Sequence, residues 1–183
     1  MPNWCSNTLE VFGNPEQLEE FRNKSMVPRL SDGPNEYDFT FEGLYPTPKE
    51  FADTDWYNWR ISNWGTKWDC GDSYVVFEDE DCFIVSYDTA WGPNINWMKT
   101  VSEKFPDLKF RLAFMEPGVG FCGVARCQNG ELDVDEGDIE LEDENNGRLV
   151  KYDRELERYR YVDTNEVIED EDFWPIEVNP FDE

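Results

Sequence analysis

The sequence predicts an α+β fold: an antiparallel sheet with two helices on one face, a Trp-rich insertion and an acidic C-terminal β-meander extension. Three observations predict it. Apolar residues alternate with polar ones in several short runs, the pattern of half-buried strands. Two segments carry helical spacing and helix-end signals. Acidic residues crowd the last third of the chain.

"NTLEVFG" alternates and reads as the first strand. "NPEQLEEFRNKS" follows as a helix, with Asn14 as N-cap and Pro15 at the first helical position. Glu16 in the first turn and Lys24 in the last suit the helix dipole, and Leu18 and Phe21 form its apolar stripe. "EYDFTFEGL" alternates again, with Tyr37, Phe39 and Phe41 on one face, before the proline-punctuated loop "YPTPKEF".

Next comes "NWRISNWGTKWDCGD", entered by a short helix that begins near Asp55. "SYVVFEDEDCFIVSYDTAW" reads as two strands around the acidic turn Glu78–Asp81. In "GPNINWMKTVSEKFP", Ile95, Met98, Val101 and Phe105 keep helical spacing, and Pro106 marks the end. "LKFRLAFMEPGVGFCGVARCQNG" is a hairpin turning at Glu116-Pro117-Gly118. The order β-α-β-β-β-α-β-β approximates the split β-α-β arrangement of ferredoxin-like domains once the aromatic insertion is set aside.

Charge divides the chain. The formal net charge is -26, from 16 Lys plus Arg against 42 Asp plus Glu. Residues 1–128 are read as the Trp-rich domain and residues 129–183 as the acidic, β-rich extension packed on it, with Asn129-Gly130 as the turn between. The extension carries the larger share of the excess. Within it Asn146-Gly147 signals a hairpin, "RYRYVDTNEVIE" alternates, and the end is loose from Glu169, where Phe173, Trp174 and Ile176 can dock back onto the body.

Such acidity disfavours direct binding to nucleic acid or to an anionic membrane, since both repel it. There is no membrane-spanning run and no signal-peptide pattern at the N-terminus. The five cysteines are odd in number, scattered and without a Cys-x-x-Cys pair, which fits a reducing cytoplasm. Histidine is absent, so nucleophile pairs and metal sites that need it are excluded. No cofactor is expected.

Several motifs have a chemical and a bland reading. Glu142, Glu144, Asn146, Gly147 and Asp153 imitate the spacing of a calcium loop, but strand-like flanks and the wrong acids favour an ordinary hairpin. Glu78, Asp79, Glu80 and Asp81 sit in an exposed turn, where no carboxyl is shielded enough for acid–base work. No basic neighbour activates a cysteine.

Asparagine precedes tryptophan at Asn3-Trp4, Asn58-Trp59, Asn63-Trp64 and Asn96-Trp97. One reading is a Trp-rich minicore whose amides tie down irregular loops. The other is an aromatic pocket of Trp4, Trp64, Trp68 and Trp91, with Asn3, Asn63 and Lys67 as polar handles. Gly65 permits a tight bend that brings Trp64 and Trp68 together. Lys67 lays its ammonium on a ring face or pairs with Asp69.

"MPNWCSNTL", "NWGTKWD", "YDTAWGPN" and "FPDLKFRLAFMEPGVGFCG" together resemble the YubB-type ferredoxin-like family of conjugative-plasmid and bacteriophage proteins. The likeness spans Pro2 to Gly123. It implies a ferredoxin-like body in a cytoplasmic mobile-element protein, with no catalytic residues to carry over; the acidic extension is less typical of the family.

The leading functional expectation is a non-enzymatic protein that binds a host protein with a basic surface, as a DNA mimic or anti-defence inhibitor. Its acidic surface comprises Asp133, Asp135, Glu136, Asp138, Glu140, Glu142, Asp143 and Glu144. The alternative is a module that binds a small ligand, nucleotide or glycan at the Trp/Asn cluster. A carboxylate- and metal-dependent hydrolase ranks third.

Overall fold

The structure is a computed structural model. It describes residues 2–29, 36–153, 155–170 and 173–181. Strand β1 (Trp4–Gly13) leads into helix α1 (Pro15–Ser25). Asn14 caps that helix by accepting the Gln17 N–H at 3.1 Å, and Leu18 and Phe21 are its buried stripe. Two short strands, β2 (Met26–Pro28) and β3 (Tyr37–Phe39), form a separate ribbon. Short helix α2 (Lys49–Ala52) and helix α3 (Trp56–Trp64) precede the hairpin β4 (Gly71–Glu78) and β5 (Cys82–Ala90). Helix α4 (Ile95–Lys104) links β5 to the meander β6 (Leu108–Glu116), β7 (Phe121–Gln128) and β8 (Glu131–Asp138).

These strands build one six-stranded sheet in the order β4-β5-β1-β6-β7-β8, antiparallel throughout. Its first four strands with α1 and α4 are the ferredoxin-like arrangement. Inward residues alternate along the central strands: Cys5, Asn7, Leu9 and Val11 on β1, Phe83, Val85 and Tyr87 on β5. Between sheet and helices lies a ring-rich core. Phe21 meets Phe39, Phe83, Phe105 and Phe110 at centroid distances of 5.7–6.3 Å. Trp97 of α4 is fully buried against Phe41, and its indole N–H donates to the Phe41 carbonyl at 3.1 Å.

The strand expected at 36–44 stops at Phe39, and it pairs with β2 rather than entering the main sheet. Only Phe39 and Phe41 of the expected face are buried; Tyr37 is half exposed. The reason lies 28 residues away, in the Asp69 carboxylate, which accepts the Phe41 N–H at 2.7 Å. It also takes the Thr40 hydroxyl at 2.6 Å. That anchor turns the chain, and the N–H groups of Leu44 and Tyr45 then close on the Phe41 carbonyl.

Asn129-Gly130 is a hairpin tip, with φ of 47° and 77°. The main sheet therefore continues into the acidic segment as β8, and the change of sheet comes after Asp138. The second sheet has the order β11-β10-β9-β12, from β9 (Glu140–Asp143), β10 (Arg148–Asp153), β11 (Arg158–Tyr161) and β12 (Ile176–Val178). Gly147, at φ 66°, serves the expected turn between β9 and β10.

The end of the chain is tied down differently from expectation. Phe173 packs on Tyr159 at 5.5 Å, Trp174 is 82% exposed, and Ile176 pairs in register with Glu142. All three dock on the second sheet. The body is reached instead by Asn179, whose amide donates to the carbonyls of Gly123 and Phe114, and by Phe181 against Gly137. Glu171 and Asp172 of that tail lie outside the described residues.

The two margins of the main sheet differ. On β4, Tyr74, Val75, Val76 and Phe77 are all exposed; β8 shows carboxylates.

Candidate functional site

The Trp-rich stretch divides at Gly65. Helix α3 sends Trp64 fully into the core, against Phe41 and Trp59, and its indole N–H donates to the Tyr45 carbonyl at 2.9 Å. Gly65 then adopts φ 90°, and its N–H closes on the carbonyls of Arg60 and Ile61. This left-handed cap is glycine's usual role, and a Cβ here would lie 2.8 Å from the Pro93 carbonyl. Thr66 is buried and exchanges hydrogen bonds with Ala90, which fastens the segment to the end of β5. Lys67 and Trp68 are thereby delivered to the surface side.

The facing wall comes from residues just beyond β5 and at the start of β1. Trp91 stands at φ 71°, and its N–H donates to the Asn3 carbonyl at 2.9 Å. A bulky residue in this region is a backbone outlier costing about 1–3 kcal/mol. Trp91 is nevertheless 42% exposed. Trp4, exposed to a similar degree, meets Trp68 at 6.1 Å and 40°. Tyr57 meets Trp91 at 6.4 Å and 80°.

The Lys67 ammonium sits among these rings, 4.4 Å from the Trp68 centroid, 5.1 Å from Trp91 and 5.6 Å from Tyr57. Cation–π attraction holds it there. It makes no ion pair or hydrogen bond among the described residues. Asp69, the expected alternative partner, is occupied by the turn at Thr40–Glu42.

Of the expected pocket residues, Trp4, Lys67, Trp68 and Trp91 come together, and Asn3 joins through its backbone. Trp64 and Asn63 do not. The Asn63 side chain accepts from the Tyr45 hydroxyl at 2.7 Å and donates to the Trp59 carbonyl at 2.8 Å, bracing the loop under α3. Within the Trp-rich stretch, buried Trp64 and surface-side Trp68 thus lie on opposite sides of Gly65. Tyr57 was absent from the expected set. Helical spacing gives no signal for it: it precedes the buried Trp64 by seven residues, about two turns up the same side of the helix, yet stands 41% exposed. A concavity of about 400 Å³, lined by Glu42, Thr47, Ala52, Trp56, Arg60 and Trp68, adjoins the cluster through Trp68. In it Arg60 pairs with Glu42 at 2.6 Å.

The expected acidic surface also divides. On β8, Asp133 and Asp135 share one face and Glu136 and Asp138 the opposite one, all exposed. Arg126 holds Asp135 at 3.0 Å; Glu131, Asp133, Glu136 and Asp138 make no ion pair among the described residues. Glu140 and Glu142 are half-buried in β9, and Glu144 is exposed in the turn. Asp143 is not a surface acid: only 4% exposed, it accepts the Tyr161 hydroxyl at 2.6 Å and the amides of Asn145 and Asn146. The Tyr161 hydrogen bond, aided by those amides against the cost of burial, holds its carboxyl below the usual range.

The last position of the calcium-like window is likewise engaged, since Asp153 accepts from Arg160 at 2.6 Å. In the Glu78–Asp81 turn, Glu78 pairs with Arg22 and Asp79 caps the N–H groups of Asp81 and Cys82. Burial pushes the Cys5 thiol up to about 12 and raises Cys70, Cys82 and Cys122 as well, the reverse of nucleophile activation. No helix is long and apolar enough to cross a membrane among the described residues.

Comparison with known proteins agrees with this architecture. The family described as the ferredoxin-like domain in Api92-like protein matches residues 63–171, more than half of the chain. That span takes in β8 to β11. YubB of Escherichia coli (strain K12) is 33% identical over 87 residues, 46% of this chain and 59% of YubB. The crystal structure of api92 from Yersinia pseudotuberculosis superposes with a TM-score of 0.58 at 10% identity. It covers 75% of this chain and 98% of that chain, a likeness of fold. The chain belongs to the family of the ferredoxin-like domain in Api92-like protein.

Proposed function

We propose that the protein is a non-enzymatic binding protein whose working face is the open aromatic surface around Lys67. One observation carries this reading. Trp91 is held in a costly left-handed conformation and still left 42% exposed, beside a lysine that has no acidic partner. Packing alone would bury such a ring, and solubility alone would not place tryptophan there. Acids outnumber bases 42 to 16 in the chain. An unpaired lysine in that setting is a donor kept for something outside the protein. The free thiols suit a reducing cytoplasm.

A second reading is favoured by β8, where five of eight residues are acidic and four lack a counter-ion within the described protein. The margin would meet a basic protein surface. Local density argues against β8 alone imitating duplex DNA. Eight strand residues span about 27 Å, over which a duplex carries about 16 charges. Mimicry would need the second sheet's carboxylates as well.

Capture from E. coli lysate separates the two readings. The bait is the full chain, a Trp68→Ala/Trp91→Ala variant, and an Asp133→Asn/Glu136→Gln/Asp138→Asn variant. Loss of the principal partner with the first variant alone supports the aromatic face; loss with the second alone supports the acidic margin. Retention by both defeats both.

A further inference from the structure

We infer that the aromatic face takes an uncharged oligosaccharide, one sugar ring lying on the Trp68 and Trp91 surfaces and the next entering the adjoining concavity. This rests on the aromatic surface being the binding face.

Three features select the ligand. First, the ring-face position that attracts cations is filled: the Lys67 ammonium lies within 5.6 Å of three centroids. A lysine or arginine from a basic peptide would meet a like charge at that point. Second, a polynucleotide would bring a phosphate per residue into the field of a chain with net charge -26. Third, Lys67 has hydrogen-bond donors without a protein acceptor. Sugar hydroxyls supply acceptors at no charge cost.

The shape agrees. The ring pairs are tilted, at 40° for Trp4 with Trp68 and 80° for Tyr57 with Trp91. They form open shelves rather than a parallel slot for a flat base. The indole face that Lys67 leaves open accepts the C–H face of a sugar, whose overhanging hydroxyl extends past the ring edge toward the ammonium. Trp68 belongs to both the shelf and the concavity of about 400 Å³, which gives a continuous path for a second ring. There Trp56 offers another aromatic surface, and the hydrogen-bonded Glu42, Thr47 and Arg60 offer fixed polar contacts.

The test is an array of neutral, acidic and sulfated glycans probed with the full chain at physiological salt. The best neutral glycan is then titrated by calorimetry against wild type, Trp68→Ala, Trp91→Ala and Lys67→Met, each checked for folding by circular dichroism. Adenosine serves as an uncharged base control. The expected result is a neutral glycan bound by wild type, at least tenfold more weakly by either folded tryptophan variant and several-fold more weakly by Lys67→Met. Binding only to polyanions, tighter binding of adenosine, affinity indifferent to both tryptophans, or no neutral binder overturns the inference. If no neutral glycan binds while lysate capture still depends on Trp68 and Trp91, the sugar is wrong and the face stands.

Discussion

Replacing Trp91 by alanine and by glycine reverses the usual order of those two residues. Elsewhere in a fold, glycine is the less stable choice by about 0.5–1 kcal/mol, because it loses more freedom on folding. At φ 71° any Cβ is crowded by the backbone, at a cost of about 1–2 kcal/mol. Alanine keeps that cost and glycine removes it. Both variants lose the same ring: with 42% of Trp91 exposed, a little over half of its area is buried, worth about 3 kcal/mol as an upper bound. The loss cancels in the comparison. Trp91→Gly is therefore expected to exceed Trp91→Ala in stability by about 0.5–1 kcal/mol after the glycine entropy is subtracted. In a chain of this size that is about 1–4 °C in Tm. Urea titration followed by far-ultraviolet circular dichroism measures the difference without relying on the remaining tryptophans. Equal stability, or alanine the more stable, would show that Trp91 is not held left-handed, and the argument from its strain would fail.

Gly65→Ala puts a Cβ at φ 90° and 2.8 Å from the Pro93 carbonyl, and should cost about 2–3 kcal/mol in urea unfolding; a neutral effect would mean the α3 cap is not left-handed. Asp143 titrates below its ordinary 3.8 in the fold, so its stabilisation is full above that value and fades as pH falls through the lower one. The urea midpoint gap between wild type and Asp143→Asn should be open at pH 7 and narrower at pH 3; an unchanged gap refutes the assigned hydrogen bonds. Iodoacetamide applied to the native protein should leave Cys5, Cys122 and Cys127 unmodified by mass spectrometry, since all three are buried; prompt labelling of any of them contradicts the packing.

Features set by neighbouring residues were legible in advance. The Asn14 cap, the Met98 and Val101 stripe of α4 and the Asn146-Gly147 turn each depend on a few adjacent positions. What escaped depends on distant partners. Phe41 turns inward because Asp69 holds the preceding loop. Trp64 and Trp68 part because Gly65 passes close under Pro93. Asn129-Gly130 combines a turn signal with a shift in composition, and charge says nothing about which strand pairs with which, so β8 was assigned to the extension. Of the candidate site, the side chains of Trp4, Lys67, Trp68 and Trp91 could be anticipated from the aromatic spacing, whereas Asn3 enters by its carbonyl and not as the side-chain handle expected. The outlying φ of Trp91 had no local signature at all.

The unlike margins of the main sheet bear on how copies of this protein could add to one another. Tyr74 to Phe77 give β4 an apolar row that another copy's β4 could join. The joined sheet would then present β8 at each extremity, with five acids on each. Like charges would repel a third copy there, so growth of the main sheet by strand addition would stop at the pair.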